Sequence, residues 1–209
     1  MPHFEAFETV PVPSIDFGDE SLSDLTKQHN AMLALQAIAE HTQPAVVLRG
    51  ANLQHERDCP PNILPIATGS LAVGRCVSIM TFDRQATTDV GLHRDPRALN
   101  LSNKPPRMNF HTSLHGRSVA QFLVPLPGIN PDTLPDFQKG DAADIEYTEA
   151  LDEGQVDTSL FQPRCFETNL DAGDTVAFYD WYTPHLFATV IEPRSYSSGL
   201  YEIHTPATP

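Results

Sequence analysis

Four side chains in this sequence have types and spacings that could build a redox metal centre. The stretch GLHRD places His93 and Asp95 two residues apart. On an extended chain, residues i and i+2 point to the same side, so an imidazole and a carboxylate can reach one ion from adjacent positions. His185 follows in YTPHLF, just after the apolar run TVAFYDW, and Arg194 comes nine residues later, just past LFATVIE. Two imidazoles and one carboxylate on one face of a metal leave the opposite face open. That suits non-haem iron(II), which needs free positions for a bidentate cosubstrate and O₂. Arginine offers a planar fork matched to a carboxylate, and pairing of the strands would return Arg194 to the same pocket.

Those residues must be held by β-structure. AVVLRG (45–50) is a short apolar run stopped by Gly50 and reads as a buried strand. RCVSIMTF (75–82) alternates as a strand does. RMNFHTSL (107–114) and RSVAQFLVPL (117–126) read as two strands joined in a hairpin at His115-Gly116, and TVAFYDW (175–181), LFATVIE (186–192) and SSGLYEIH (197–204) complete a C-terminal β set. Before them, residues 1–20 read as an extended arm. Ser21 or Ser23 then caps a helix running to about His41, with Leu25, Met32, Leu35 and Ala39 on its packed face and Pro44 beyond its end. One helix and seven or eight strands predict a mainly β chain, a sandwich or barrel.

The chain fits a single domain over 1–209: an N-terminal arm and helix (1–44), a β core (45–126 and 166–204) and an acidic insert (127–165). The insert carries nine acidic residues between Asp132 and Asp157 against one lysine, Lys139, and is long enough to be read as a functional lid or a loop without fixed structure. The 19 prolines argue against a helical bundle.

A formal charge of −14 disfavours nucleic acid and anionic membrane as partners, since polyphosphate rewards Lys and Arg. No apolar run approaches the roughly 18 residues of a membrane span, and MPHFEAFETVPVP does not read as a signal peptide. The three cysteines, Cys59, Cys76 and Cys165, lack paired zinc-ligand spacing, and a reducing cytoplasm is the expected location, with Cys76 and Cys165 in the core.

The pattern HRD, then GDTVAFYDWYTPH, then PRSYS resembles the iron(II)/2-oxoglutarate dioxygenases over about residues 45–204. Their signature is His-x-Asp/Glu, a distal His, and an Arg about ten residues on. The resemblance implies a double-stranded β-helix, a jelly roll of cupin-like form with the N-terminal helix packed on it. It makes His93, Asp95 and His185 the iron ligands and Arg194 the partner of the distal carboxylate of 2-oxoglutarate. Members often place a hydroxyl two residues beyond that arginine; here that position is Tyr196, with Ser195 and Ser197 beside it. Asn109 and His111 are candidates for further cosubstrate contacts. The implied reaction couples oxidative decarboxylation of 2-oxoglutarate by O₂ to hydroxylation of a small molecule. Halogenases of the family replace the carboxylate ligand with a small residue, so Asp95 argues against halogenation.

Arg94, Trp181 and Tyr182, beside the ligands, are candidates for substrate contact; Arg94 and Arg97 also fit ordinary exposed cations, and the two aromatics fit rim packing. His111 and His115 offer an alternative cupin-like metal pair, provided their strand continues through Gly116. Two other readings stay open: a cupin-type metal enzyme that does not use 2-oxoglutarate, and a non-catalytic β-sandwich binding module. The oligomeric state is not legible, and a cationic substrate group is suggested by the acidic insert alone.

Overall fold

The computed structural model describes residues 7–55, 71–84, 90–93, 107–129, 158–179 and 182–204; at 82–84, 90–93, 189, 191 and 192 it describes the backbone alone. In chain order the elements are β1 (Glu8–Pro11), β2 (Ser14–Asp16), α1 (Asp24–Ala39), β3 (Ala45–Arg49), β4 (Ala72–Arg84), β5 (Val90–His93), β6 (Arg107–Pro125), β7 (Phe161–Leu170), β8 (Thr175–Phe178) and β9 (His185–His204). A 3₁₀ turn, Thr158–Leu160, leads into β7.

Two long strands organise everything else. β6 and β9 run antiparallel along their whole length, from Arg107 opposite Glu202 to Phe122 opposite His185. The register slips between Ser113 and Ser118, where both strands bend. On one side of the bend, residues 109–112 of β6 also pair with β8, β8 pairs with β3, and residues 194–204 of β9 pair with β4. On the other side, residues 118–125 of β6 pair with β7, and the start of β9 pairs with β5. The result is two sheets, β4-β9-β6-β8-β3 and β5-β9-β6-β7, wrapped face to face through shared strands. That is the double-stranded β-helix, mainly β with one helix among the described residues.

The expected hairpin at His115-Gly116 is not there. The chain passes straight on through Gly116 (φ +74°) and crosses from one sheet to the other. In the same way LFATVIE and SSGLYEIH are one strand, β9, and Arg194 lies within it. Local alternation cannot separate a hairpin from a bend, because both interrupt the period at a glycine.

Residues opposed in an antiparallel pair share a face, and the burial follows that rule. Ala45, Val47, Ala120, Phe122, Leu170, Val176, Phe178 and Phe187 meet between the sheets, where each large side chain removed from water contributes about 1.5–3 kcal/mol. Val46, Leu48, Phe110, Ala177 and Tyr201 face outward under α1. The helix is capped by Ser23, whose hydroxyl accepts from Thr26 N at 3.2 Å. It buries Lys27, Ala31, Met32, Leu35 and Ile38, whereas Leu25, expected on the packed face, is 74% exposed. Lys27 takes that place because its ammonium reaches the Phe17 carbonyl at 2.8 Å while its stem packs.

The arm is partly strand: β1 adds parallel to β7 and β2 parallel to β3. At the C-terminal side of the expected insert, Phe161–Cys165 already belong to β7. The base of the insert is pinned by Leu126 N donating to Leu160 O at 2.9 Å. The insert residues 130–157 lie outside the described set.

Candidate metal and cosubstrate site

β9 enters the roll at His185, and the antiparallel register with β5 sets the backbone of His93 directly opposite. Such partners have Cα atoms about 4.5–5.5 Å apart. His185 is buried at 2% exposure, against Phe178 at 4.4 Å between ring centroids and Phe187 at 5.8 Å. Its Nδ1 lies 2.9 Å from the Thr183 carbonyl oxygen. A carbonyl only accepts, so Nδ1 carries a proton. That is the arrangement of a metal-ligating histidine oriented by a carbonyl behind it. The Tyr179 carbonyl accepts from Tyr182 N at 3.1 Å and Thr183 N at 3.0 Å, which fixes the turn that presents Thr183.

Beyond the bend, β9 returns along the other sheet with Arg194, Tyr196 and Ser198 on the inner face. Arg194 is 4% exposed and its Nη1 donates to the Phe187 carbonyl at 3.1 Å. Its guanidinium carbon lies 5.0 Å from the Tyr196 ring centroid, a cation–π distance. Tyr196 shares this face, while Ser195 and Ser197 alternate to the other; Ser197 meets Thr81 at 3.4 Å. Tyr196 thus bears on Arg194 through its ring face.

Across the same sheet, β6 contributes Asn109 and His111, both buried. The Ser198 hydroxyl donates to Asn109 Oδ1 at 2.5 Å, which sets the amide's orientation. His111 lies between two rings, 4.1 Å from Phe187 and 4.1 Å from Tyr196. His115 is exposed at the bend, so the His111–His115 pair does not form a metal site. The strand does continue through Gly116, but the register slip there puts the two on different surfaces.

The interior is therefore divided. Its β3, β7 and β8 side is mostly apolar, with Thr168 and Arg49 hydrogen-bonded to each other at 2.9 Å. Its β6 and β9 side carries His185, Arg194, Asn109, His111 and Ser198. Two contributors escaped the sequence reading. Ser198 orients Asn109, and Arg107, 6% exposed, stands on the inward register opposite Glu202. The alternation through Asn109 and His111, extended one step back, would have found Arg107.

Of the other expected site residues, Tyr182 is buried and packs on His41 at 3.9 Å. Asp95, Arg94, Arg97 and Trp181 lie outside the described residues, as does the His93 side chain. Among the described residues no three His, Cys, Asp or Glu side chains form a metal cluster. Cys76 and Cys165 are buried as expected, and burial, with Glu167 nearby, pushes the Cys165 thiol up to about 12. No helix among them is long and apolar enough to cross a membrane.

No family model matches the chain, and no curated protein matches it. Among solved structures it is similar to asparagine oxygenase, with 14% identity, 86% of this chain and 81% of that one covered, and a TM-score of 0.41. The Kdo hydroxylase, a non-haem Fe(II) alpha-ketoglutarate-dependent dioxygenase, gives 12%, 94%, 88% and 0.40. The dTDP-4-dehydrorhamnose 3,5-epimerase from Elizabethkingia anophelis gives 13%, 62%, 52% and 0.35, and this chain spans about half the length of that protein. Likeness at this level assigns neither family nor activity. The strand register by itself establishes a double-stranded β-helix, with a buried, carbonyl-oriented His185 where its longest strand begins.

Proposed function

We propose that this protein is a non-haem iron(II) dioxygenase that couples oxidative decarboxylation of 2-oxoglutarate to hydroxylation of a small molecule. The observation that carries the reading is one strand bearing two functions. β9 starts at an Nδ1-protonated, buried His185 opposite His93, and returns with a buried Arg194 on the inner face.

In this reading His93, Asp95 and His185 hold the iron, and the donor set of two imidazoles and a carboxylate fits it. Bound iron supplies the redox chemistry by which O₂ and 2-oxoglutarate become succinate, CO₂ and an oxidised substrate. Arg194 grips the far carboxylate of 2-oxoglutarate in a site where burial strengthens a charge-assisted pair. Asn109 adds an amide, and His111 with Tyr196 walls the cosubstrate. Phe122, Phe178 and Phe187 exclude water from the ligand side of the cavity. Arg94, Trp181 and Tyr182 are the proposed substrate contacts. The proposed context is a single cytoplasmic domain acting on a small molecule, without nucleic-acid or membrane partners.

The bond from Arg194 to the Phe187 carbonyl favours one other reading, in which the arginine is structural and the enzyme uses the metal without 2-oxoglutarate. Iron uptake and succinate formation separate the two. Protein purified without oxygen should take up about one iron per chain, and His93→Ala or His185→Ala should abolish uptake. Substrate-stimulated succinate from a metabolite library supports the dioxygenase. Iron uptake without 2-oxoglutarate turnover supports the second reading. A folded protein that takes up no iron refutes both and leaves a binding module.

A further inference from the structure

A second concavity lies outside the roll, between the C-terminal end of α1 and the segment that follows β6. It has a volume of about 650 Å³, and its lining includes Glu40, His41, Gly128, Ile129, Gln162 and Tyr182. Two rings, His41 and Tyr182, stand in its wall, and the charged residue among the described lining is Glu40. His41 and Tyr182 lie ring against ring at 3.9 Å and 30°, and Tyr179 meets His41 edge-on at 5.2 Å. His41 is held in the left-handed backbone region (φ +58°), which an L side chain adopts at a cost, and which fixes the ring at the mouth. Burial lowers the His41 pKa, so the imidazole is neutral around pH 7.

Three features select the sign of a ligand. Among the described residues the lining includes Glu40 and neither lysine nor arginine. Helix α1 ends here with no basic residue in its last turn, so its negative dipole end is not offset by a side chain. The Tyr182 ring, backed on one face by His41, attracts cations through its quadrupole. Glu40 already accepts from Gln36 Nε2 at 2.8 Å, which holds one carboxylate oxygen and steadies the group.

We propose that this cleft binds an organic cation: an ammonium group carried on an apolar or aromatic body, with Glu40 taking the charge and His41 and Tyr182 the body. The inference does not depend on the metal reading, since none of the described lining residues is an assigned iron ligand, although Tyr182 is shared with the substrate contacts proposed above. It does place a ligand directly behind the turn whose Thr183 carbonyl orients His185.

The test uses the full chain without metal, so that a failure of the iron assignment leaves it intact. Benzylamine is titrated while the His41 Hε1 and Tyr182 ring resonances are followed by NMR, with benzyl alcohol and phenylacetate as neutral and anionic controls. Benzylamine should shift both resonances saturably and the controls should not. Glu40→Gln, which retains the helix-end geometry, should weaken benzylamine by about fivefold, the scale of a partly exposed ion pair. His41→Asn, tolerant of the left-handed backbone, should weaken it while the rest of the spectrum stays folded. Equal response to all three probes, no response to benzylamine, or indifference to Glu40→Gln overturns the proposal.

Discussion

Arg194 Nη1 donates to the Phe187 carbonyl at 3.1 Å, joining two residues of one strand across the bend that carries β9 from sheet to sheet. Phe187 is two residues from His185, so the two parts of the strand to which the proposed function gives metal and cosubstrate hold each other in place. The proposed function makes this arginine the first position to test. Arg194→Ala should lower kcat/KM for 2-oxoglutarate by about 10²-fold or more, and Arg194→Lys should recover only part of it, because an ammonium lacks the planar fork. Iron uptake should survive both changes. Steady-state succinate formation checks the first expectation and anaerobic metal analysis the second; unchanged turnover would remove 2-oxoglutarate from the mechanism.

Asp174 latches β3 to the turn before β8. It is buried, takes the Arg49 guanidinium at 2.6 Å, and accepts from Gly50 N at 3.0 Å and Asp171 N at 3.1 Å. Asp174→Ala removes the acceptor of two backbone N–H groups and of Arg49, which keeps the Asn169 carbonyl and the Thr168 hydroxyl, and should cost about 2–4 kcal/mol. Urea unfolding should show a lower midpoint with the slope preserved, and activity per folded molecule should hold, since the partners of this latch include none of the residues proposed to hold metal or cosubstrate.

His55 and Gly199 set a pH dependence of stability. The His55 ring lies over Gly199, with Nδ1 2.9 Å from the Tyr201 hydroxyl and Nε2 3.3 Å from the Thr112 hydroxyl. Burial lowers its pKa from the ordinary 6.5, against a smaller raising effect from the Ser197 backbone. Below 6.5 the unfolded chain therefore binds a proton that the folded chain resists. Stability from this group is complete above pH 6.5 and should decline as pH falls from there through the lower folded value. Unfolding free energies measured across pH 7 to 5 should show that decline. His55→Gln should lose part of it, the remainder coming from His41, which burial shifts the same way.

Gly199→Ala tests the same contact from below. A Cβ there would come within 2.5 Å of His55 Nδ1 and 2.7 Å of Tyr201 Cε2. The ring must move, at about 1–3 kcal/mol, and its pKa should return toward the ordinary value. An NMR titration of His55 in the variant that matches wild type would show that the contact does not set the shift.

The Cys165 thiol, pushed up to about 12 by burial, is almost wholly protonated at neutral pH and should be inert. Iodoacetamide at pH 8 should leave its peptide unmodified in native protein and alkylate it after denaturation, as mass spectrometry would read.

What the sequence determined by itself was everything carried by residue type and short spacing. Alternation placed the strands, a serine and an acidic first turn began the helix, and a histidine at the head of an apolar strand with an arginine nine residues on marked one chain segment as the candidate site. These follow from local geometry, because a strand's period and a cap's hydrogen bond involve neighbours only. What tertiary structure alone decided was how the segments meet. Whether Gly116 turned the chain back or passed it on depended on which strands were available to pair, and two sheets sharing β6 and β9 favoured the bend. Lys27 rather than Leu25 is buried because the Phe17 carbonyl happens to lie within its reach. Ser198 orients Asn109 because register brings them together from 89 residues away. Contacts of that kind come from long-range pairing, which leaves no period in the chain to read.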